Sequence, residues 1–281
     1  LLVVISIIAL LMAILLPTLQ RVRKQAKALA CQANLRQWGI LWATYTTEND
    51  GRLPGWYDHP RNPSDPGWWA WDWGWGWGWG WWGWGGPEPS PEARERYETV
   101  KDILCCPLAT KPANQTSPAQ GSPAGGTFHA WGWTDRPRWW YDVHGSYGAN
   151  GWTYGWWWGS PDDRRPFWTT SAVKNAAAVP VYLDSCWPWS GWGGYDERTP
   201  PPPCDAIPTR EGGPSPTNSC INRHDGYVNG LFLDWSVRKV GLKELWALKW
   251  HREYSIRGPW TKAGGVKPED WPEWLRRFKD Y

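Results

Sequence analysis

The chain opens on sixteen residues, LLVVISIIALLMAILL, that carry no charge and a single hydroxyl, at Ser6. As a helix this run spans about 24 Å, somewhat short of a ~30 Å hydrocarbon core, and a few upstream apolar residues would complete a membrane span. After Pro17 the character changes. Arg21, Arg23, Lys24 and Lys27 arrive together, while Leu19, Val22, Ala26, Leu29 and Ala33 keep a three-to-four spacing. Trp38, Leu41, Trp42 and Tyr45 continue the stripe. The pattern predicts one long helix over residues 1–50, apolar on all sides at first and amphipathic afterwards. Asn49, Asp50 and Gly51, followed by Pro54 and Gly55, mark its end. A signal peptide would carry its charges before the apolar run and a small-residue cleavage site after it, whereas here the charges follow and the helix pattern continues through them. A plain single-span anchor accounts for the hydropathy equally well. Pro17 points to something more particular, because proline removes a helix hydrogen bond and kinks or melts the local turn.

A second pattern fills residues 51–92. Trp71, Trp73, Trp75, Trp77, Trp79 and Trp81 alternate largely with glycine. In an extended chain that alternation puts indoles on one face and bare backbone on the other. The strip reads first as a packing device that covers the domain or a neighbouring subunit, with glycines letting another backbone approach. A carbohydrate platform and an aromatic array for charge transfer are the other two readings. An apolar strip of this length is not expected to stay exposed on a monomer.

The remaining 93–281 reads as a globular head. Glu92 to Leu104 predicts a short polar helix that delivers Cys105, Cys106 and Pro107, and residues 107–126 read as an exposed loop. Trp131 to Trp158 suggests short aromatic strands broken by glycines, and Asn175 to Ser185 a buried strand ending in Asp184. Residues 186–220 form a Pro/Gly loop. Val228 to Leu233 and Ser236 to Val240 predict a hairpin turning at Asp234 and Trp235, before a short helix in LKELWALKWH.

Composition sharpens this outline. The 31 Trp, 31 Gly and 27 Pro stand against 4 Phe and 1 Met, so the core must be built from indoles packed on turns and irregular backbone. The predicted class is α+β: a long N-terminal helical spine, then a loop-rich, Trp-rich globular domain with a small antiparallel sheet. A net charge of +3 is too mild to indicate nucleic acid as a partner. Six cysteines, Cys31, Cys105, Cys106, Cys186, Cys204 and Cys220, show no paired C-x2-C zinc spacing. In an exported protein an even count reads as disulfides, with connectivity left open. Adjacent Cys105 and Cys106 are expected to face different partners, since closing a bridge between them strains the peptide.

The segment LLVVISIIALLMAILLPTLQRVRKQAK resembles the prepilin-type N-terminal segment of type IV pilins and type II secretion pseudopilins, and Pro17 falls where that family's helix-breaking proline falls. The family's mature chains usually begin Phe-Thr-Leu-Ile-Glu; those residues, with the glutamate that sets subunit register in the family, are absent from this sequence. CQANLRQWGILWATYTTENDGRLPG is similar to the continuation in planctomycete-type pseudopilin-like proteins. INRHDGYVNGLFLDWSVRKVGLKELWALKWH resembles their H-x9-D-G segment: His224 and Asp234 match with nine residues between, and Trp235 replaces the glycine. That replacement speaks against a type I′ Asp-Gly turn, since tryptophan at positive φ is unfavourable. The resemblance covers residues 1–55 and about 220–281.

What the resemblance implies is a filament subunit and not an enzyme. Leu1, Val4, Ile8, Leu11, Leu15 and Pro17 would lie in the membrane helix and later in the filament core. The precursor would sit in the inner membrane and the product would be an extracellular or periplasmic filament. Its partners would be copies of itself, the assembly machinery, the prepilin peptidase that methylates the new terminus, and possible surface glycans. A membrane-anchored monomeric glycan-binding protein and a minor pseudopilin are the alternatives. His224 and Asp234 read as a structural hydrogen-bonded pair near one end of the hairpin, with no third ligand and no nucleophile elbow, so neither metal ligands nor catalytic residues are assigned. Calcium is a cofactor only if Asp184, Asp196, Glu197 and Asp205 gather their carboxylates in the loop region.

Overall fold

The apolar run and the amphipathic stripe form one helix, α1 (Leu2–Glu48), with Pro17 inside it. The computed structural model describes residues 2–54, 95, 98–111, 125–132, 144–153, 167–190, 197–205 and 215–281. Most of the expected 51–92 segment, including the Trp71–Trp81 strip, therefore lies outside the described residues, as does Leu1. α1 ends where the turn signal stands. Asp50 (φ 54°) and Gly51 (φ 74°) take left-handed backbone, and the Gly51 N–H returns to the Thr46 carbonyl at 2.7 Å. That bond satisfies one of the carbonyls a helix leaves open at its end.

The class is α+β, as expected. β1 (Trp131–Gly132) pairs with β2 (His144–Gly145) as a small antiparallel ribbon. The main sheet holds β3 (Tyr147–Asn150), β4 (Pro180–Asp184), β5 (Trp189–Ser190), β6 (Tyr227–Phe232) and β7 (Val237–Gly241), in the order β5-β3-β4-β6-β7. Its pairs are antiparallel except β3 with β5. The predicted hairpin is β6–β7. The stretch expected as a helix after Gly241 is instead a 3-10 turn, Lys243–Ala247.

Period-two alternation on β6 sorts its side chains into two layers. Leu231 joins the core beneath α1, while Val228 and Phe232 join a second core built from the C-terminal segment through Trp246, Trp250 and Trp271. The composition argument is thus met: indoles fill both cores.

α1 docks through Ala28, Cys31, Leu35, Trp38, Trp42 and Tyr45, all buried at helical spacing. This face differs from the first part of the expected stripe. Leu19, Val22 and Leu29 stay exposed, because at about 100° per residue they lie on the side of the helix opposite the docked face. Gly39 allows the close approach: a Cβ there would stand 3.0 Å from Leu231 Cδ1 and 3.2 Å from the Trp235 carbonyl. Trp235 does adopt positive φ (64°) at the β6–β7 turn. Stacking on Trp42, with ring centroids 6.1 Å apart and planes 12° from parallel, offsets that local cost.

Trp42→Ala should therefore lower stability by about 3–5 kcal/mol, as for other buried aromatics. Ile40→Ala, on the exposed side of the same turn, should stay within about 0.5 kcal/mol. Urea unfolding of the full chain in detergent, followed by tryptophan fluorescence, distinguishes the two; equal losses would mean that this face does not hold the helix.

Candidate functional site

Behind the docked part of α1, four segments bring four reactive side chains together. Cys31 comes from the helix, Cys106 from the chain just after a 3-10 turn at Lys101–Ile103, Asp184 from the last position of β4, and His224 from the turn before β6. Their ligand atoms all lie within 4.8 Å of one another, and all four residues are buried. Cys31 Sγ is 3.6 Å from Asp184 Oδ1 and 3.7 Å from Oδ2. Cys106 Sγ is 3.5 Å from His224 Nε2, which is 3.0 Å from Asp184 Oδ2.

A buried carboxylate needs compensation, and Asp184 has it from several sides. Arg223 Nη1 donates to Oδ1 at 2.9 Å, and the Asn229 backbone N–H donates to Oδ2 at 2.8 Å. The guanidinium is itself fixed by the carbonyls of Ser146 (2.6 Å), Thr127 (2.7 Å), Gly126 (3.1 Å) and Ser185 (3.1 Å). Burial pushes the Asp184 carboxyl up, but His224, Arg223 and the Asn229 N–H outweigh it and hold the group below the usual carboxylate range. Burial likewise opposes charge on His224, yet Asp184 and Cys106 beside it bring the imidazole up to about 9. For Cys106, burial is outweighed by the Cys31 thiol, His224 and Arg223, so its thiol falls to about 7.

A further ring of contacts sets orientation. Asn229 Oδ1 accepts from Gln32 Nε2 at 2.9 Å, while its Nδ2 lies 3.1 Å from His224 Nε2 and 3.4 Å from the Ala28 carbonyl. The Tyr147 hydroxyl reaches Cys31 Sγ at 3.2 Å, and the Cys106 N–H donates to Ser146 Oγ at 2.5 Å. The His224 ring stacks on Tyr227 with centroids 5.4 Å apart. Two thiols, a carboxylate and an imidazole nitrogen at these separations are a donor set able to hold a metal ion. Two sulfurs this close are equally a dithiol.

Several expectations are corrected here. His224 and Asp234 do not pair: β6 lies between them, so they stand at opposite ends of a strand about 20 Å long. His224 meets Asp184, while Asp234 accepts from Ser236 Oγ at 2.6 Å on the exposed turn. The cysteines form no disulfide; all six are free thiols with different surroundings. Cys105 Sγ faces the His144 carbonyl, and Cys204 is exposed. Cys186 Sγ reaches the Asn218 carbonyl at 3.3 Å, and burial pushes its thiol up to about 12. Among the described residues the carboxylates considered for calcium do not gather: Asp184 is held by Arg223 and Asp205 accepts the Asn222 N–H at 2.9 Å, while Asp196 lies outside the described residues. Val4, Ile8, Leu11, Leu15 and Pro17 are all exposed along the free part of α1. The Trp71–Trp81 strip lies outside the described residues.

No motif spacing in the sequence links the four residues of the cluster, or marks Arg223 and Asn229. One signal did stand in the sequence. Asp184 closes a strand otherwise made of apolar residues, and a carboxylate there requires a buried partner.

Arg223→Met would leave that carboxylate with only His224 and the Asn229 N–H, strip four backbone carbonyls of a donor, and should cost about 3–5 kcal/mol. Arg238→Met, which breaks a partly exposed pair with Glu244, should cost no more than about 1 kcal/mol. Chemical denaturation of the two variants checks the contrast, and similar losses would remove Asp184 from the centre of the head's polar core.

No family model, no curated protein and no solved structure matches this chain, so the chemistry of the site rests on its geometry.

Proposed function

We propose that the chain is a structural subunit of an extracellular type IV pilus-like or pseudopilus filament, held in the inner membrane before assembly. One observation carries this reading: α1 is a single helix with two different halves. The residues from Val3 to Leu16 are almost all apolar and none is buried against the rest of the chain, whereas the face from Ala28 to Tyr45 is fixed to the head. The helix is long and apolar enough to cross a membrane, which suits an anchor or a signal sequence.

One feature favours more than an anchor. The exposed apolar surface continues past Pro17 through Leu19, Val22 and Leu29, interleaved with Arg21, Arg23, Lys24 and Lys27. Each large apolar side chain gains about 1.5–3 kcal/mol on full burial, so this surface calls for cover beyond the length of a bilayer. Neighbouring copies of the same helix would supply it. In this reading the apolar half leaves lipid for a helical core, where one apolar environment replaces another. An external motor drives the exchange, and the Trp-rich heads tile the outside.

Electron microscopy of sheared cell-surface material, with antibody against the head, tests the proposal: uniform labelled filaments are expected. The pair Ile8→Asp and Leu11→Arg should abolish both filaments and membrane retention while the head keeps its near-UV circular dichroism. Recovery of the unaltered chain solely as membrane-bound monomer would defeat the filament reading, and so would filaments indifferent to the two charges.

A further inference from the structure

We propose that Cys31, Cys106, Asp184 and His224 form a structural site for one divalent cation of the zinc class, bound by two thiolates, a carboxylate oxygen and the imidazole Nε2. The proposal is independent of the filament reading, since it concerns only the head and the docked part of α1.

Geometry is the first argument. Zinc bonds of about 2.0–2.3 Å to nitrogen, oxygen and sulfur place the corners of a tetrahedron roughly 3.3–3.8 Å apart. The separations here are 3.6 Å and 3.7 Å from Cys31 to the two Asp184 oxygens, 3.5 Å from Cys106 to His224, and 3.0 Å from His224 to Asp184. These three contacts stand close to coordination spacing, and all four ligand atoms, from four segments, lie within 4.8 Å of one another.

The second argument is an unresolved demand on one atom. His224 Nε2 faces the Asp184 carboxylate at 3.0 Å, which asks for an N–H, and Asn229 Nδ2 at 3.1 Å, which asks for a lone pair. The Ala28 carbonyl can only accept, so it favours the amide orientation that turns Nδ2 inward. No protonation state of Nε2 satisfies both neighbours. A cation between Nε2, the carboxylate and the sulfurs would take the Nε2 lone pair and remove the need for an N–H toward Asp184, while the Ala28 carbonyl at 3.4 Å is left as the acceptor for Asn229 Nδ2. His224 Nδ1 is buried without a hydrogen-bond partner, so no contact through that atom fixes the tautomer instead.

Charge and surroundings agree. Two thiolates, the Asp184 carboxylate, the Arg223 guanidinium and a divalent cation sum to zero, which suits a fully buried site. Two of the three anionic ligands already have orienting partners: Tyr147 on Cys31, Arg223 and the Asn229 N–H on Asp184. With four protein ligands and no open position, the site is of the structural kind. Binding would release the thiol protons, and any proton on Nε2, to solvent. The ion would tie α1 to the sheet and to two connecting segments at one point.

The experiment uses the full chain in detergent, purified without chelator from zinc-supplemented cells. Stoichiometric zinc is expected by elemental analysis. Cobalt exchanged into the protein should show the intense visible bands of a tetrahedral centre and near-ultraviolet thiolate charge transfer. Chelation should lower the thermal midpoint, and added zinc should restore it. Cys106→Ser should lose most of the zinc, while Cys204→Ser, outside the cluster, should keep it. Because removing a buried ligand also threatens the fold, the cobalt spectrum and the chelation shift of the unaltered chain decide independently of any variant. A folded chain that takes up neither metal overturns the proposal. A non-reduced peptide map linking Cys31 to Cys106 overturns it too, and would make the pair a disulfide.

Discussion

The head is organised around the burial of one carboxylate. Asp184 ends β4 with no solvent access, and a charge in that position is tolerated only if it is met by opposite charge and by hydrogen bonds. Meeting it draws in parts of the chain that share no local contact. Arg223 comes from the turn before β6, the Asn229 N–H from within β6, and Cys31 from a helix 153 residues away in sequence. Arg223 in turn holds the carbonyls of Gly126, Thr127, Ser146 and Ser185, so segments with little regular structure gain fixed positions. In a chain so rich in glycine and proline, such directional contacts do work that long strands do elsewhere.

Apolar burial supplies the bulk of the cohesion and is less selective. The two cores share one sheet, with α1 on one face and the C-terminal segment on the other. Indoles suit this arrangement because they offer large area and a single donor, which several place on a backbone carbonyl. Trp38 Nε1 donates to Ile103, Trp246 Nε1 to Thr199 and Trp274 Nε1 to Pro202. Each such bond pins a loop to a core residue.

Legibility in the sequence followed the range of the interactions. The long helix, its end at Asn49–Gly51, the buried strand at Asp184 and the β6–β7 hairpin were readable because each rests on local periodicity or turn chemistry. Helix orientation was only half readable. Leu19, Val22 and Leu29 keep the same three-to-four spacing as Leu35, Trp38 and Trp42 but lie on the opposite side of the helix, and spacing does not say which of two apolar stripes the sheet covers. The candidate site was not readable as a unit. Cys106 and His224 lie 118 residues apart, no motif spacing links them, and only the antiparallel placement of β4 beside β6 brings Asp184 to both. The error over Asp234 has the same root: proximity in sequence suggested a partner that the strand between carries away. Trp235 at positive φ likewise reflects a partner, Trp42, that local rules do not contain.

The position of the polar cluster along α1 matters for how the molecule bears load. Cys31 and Gln32 lie near the point where the helix leaves the head, since Ala28 is the first buried residue of the docked face. Apolar packing by itself would let a helix slide or turn on a sheet at modest cost. A shift of one residue rotates the docked face by about 100°. That rotation would separate Gln32 from Asn229 and Cys31 from Asp184, leaving buried polar groups unpaired. The cluster therefore fixes the register of the helix at the place where any force on its free, apolar half would enter the head. Trp38, Trp42 and Tyr45 add adhesion farther along, and the polar contacts at Cys31 and Gln32 specify the angle and depth at which that adhesion is made.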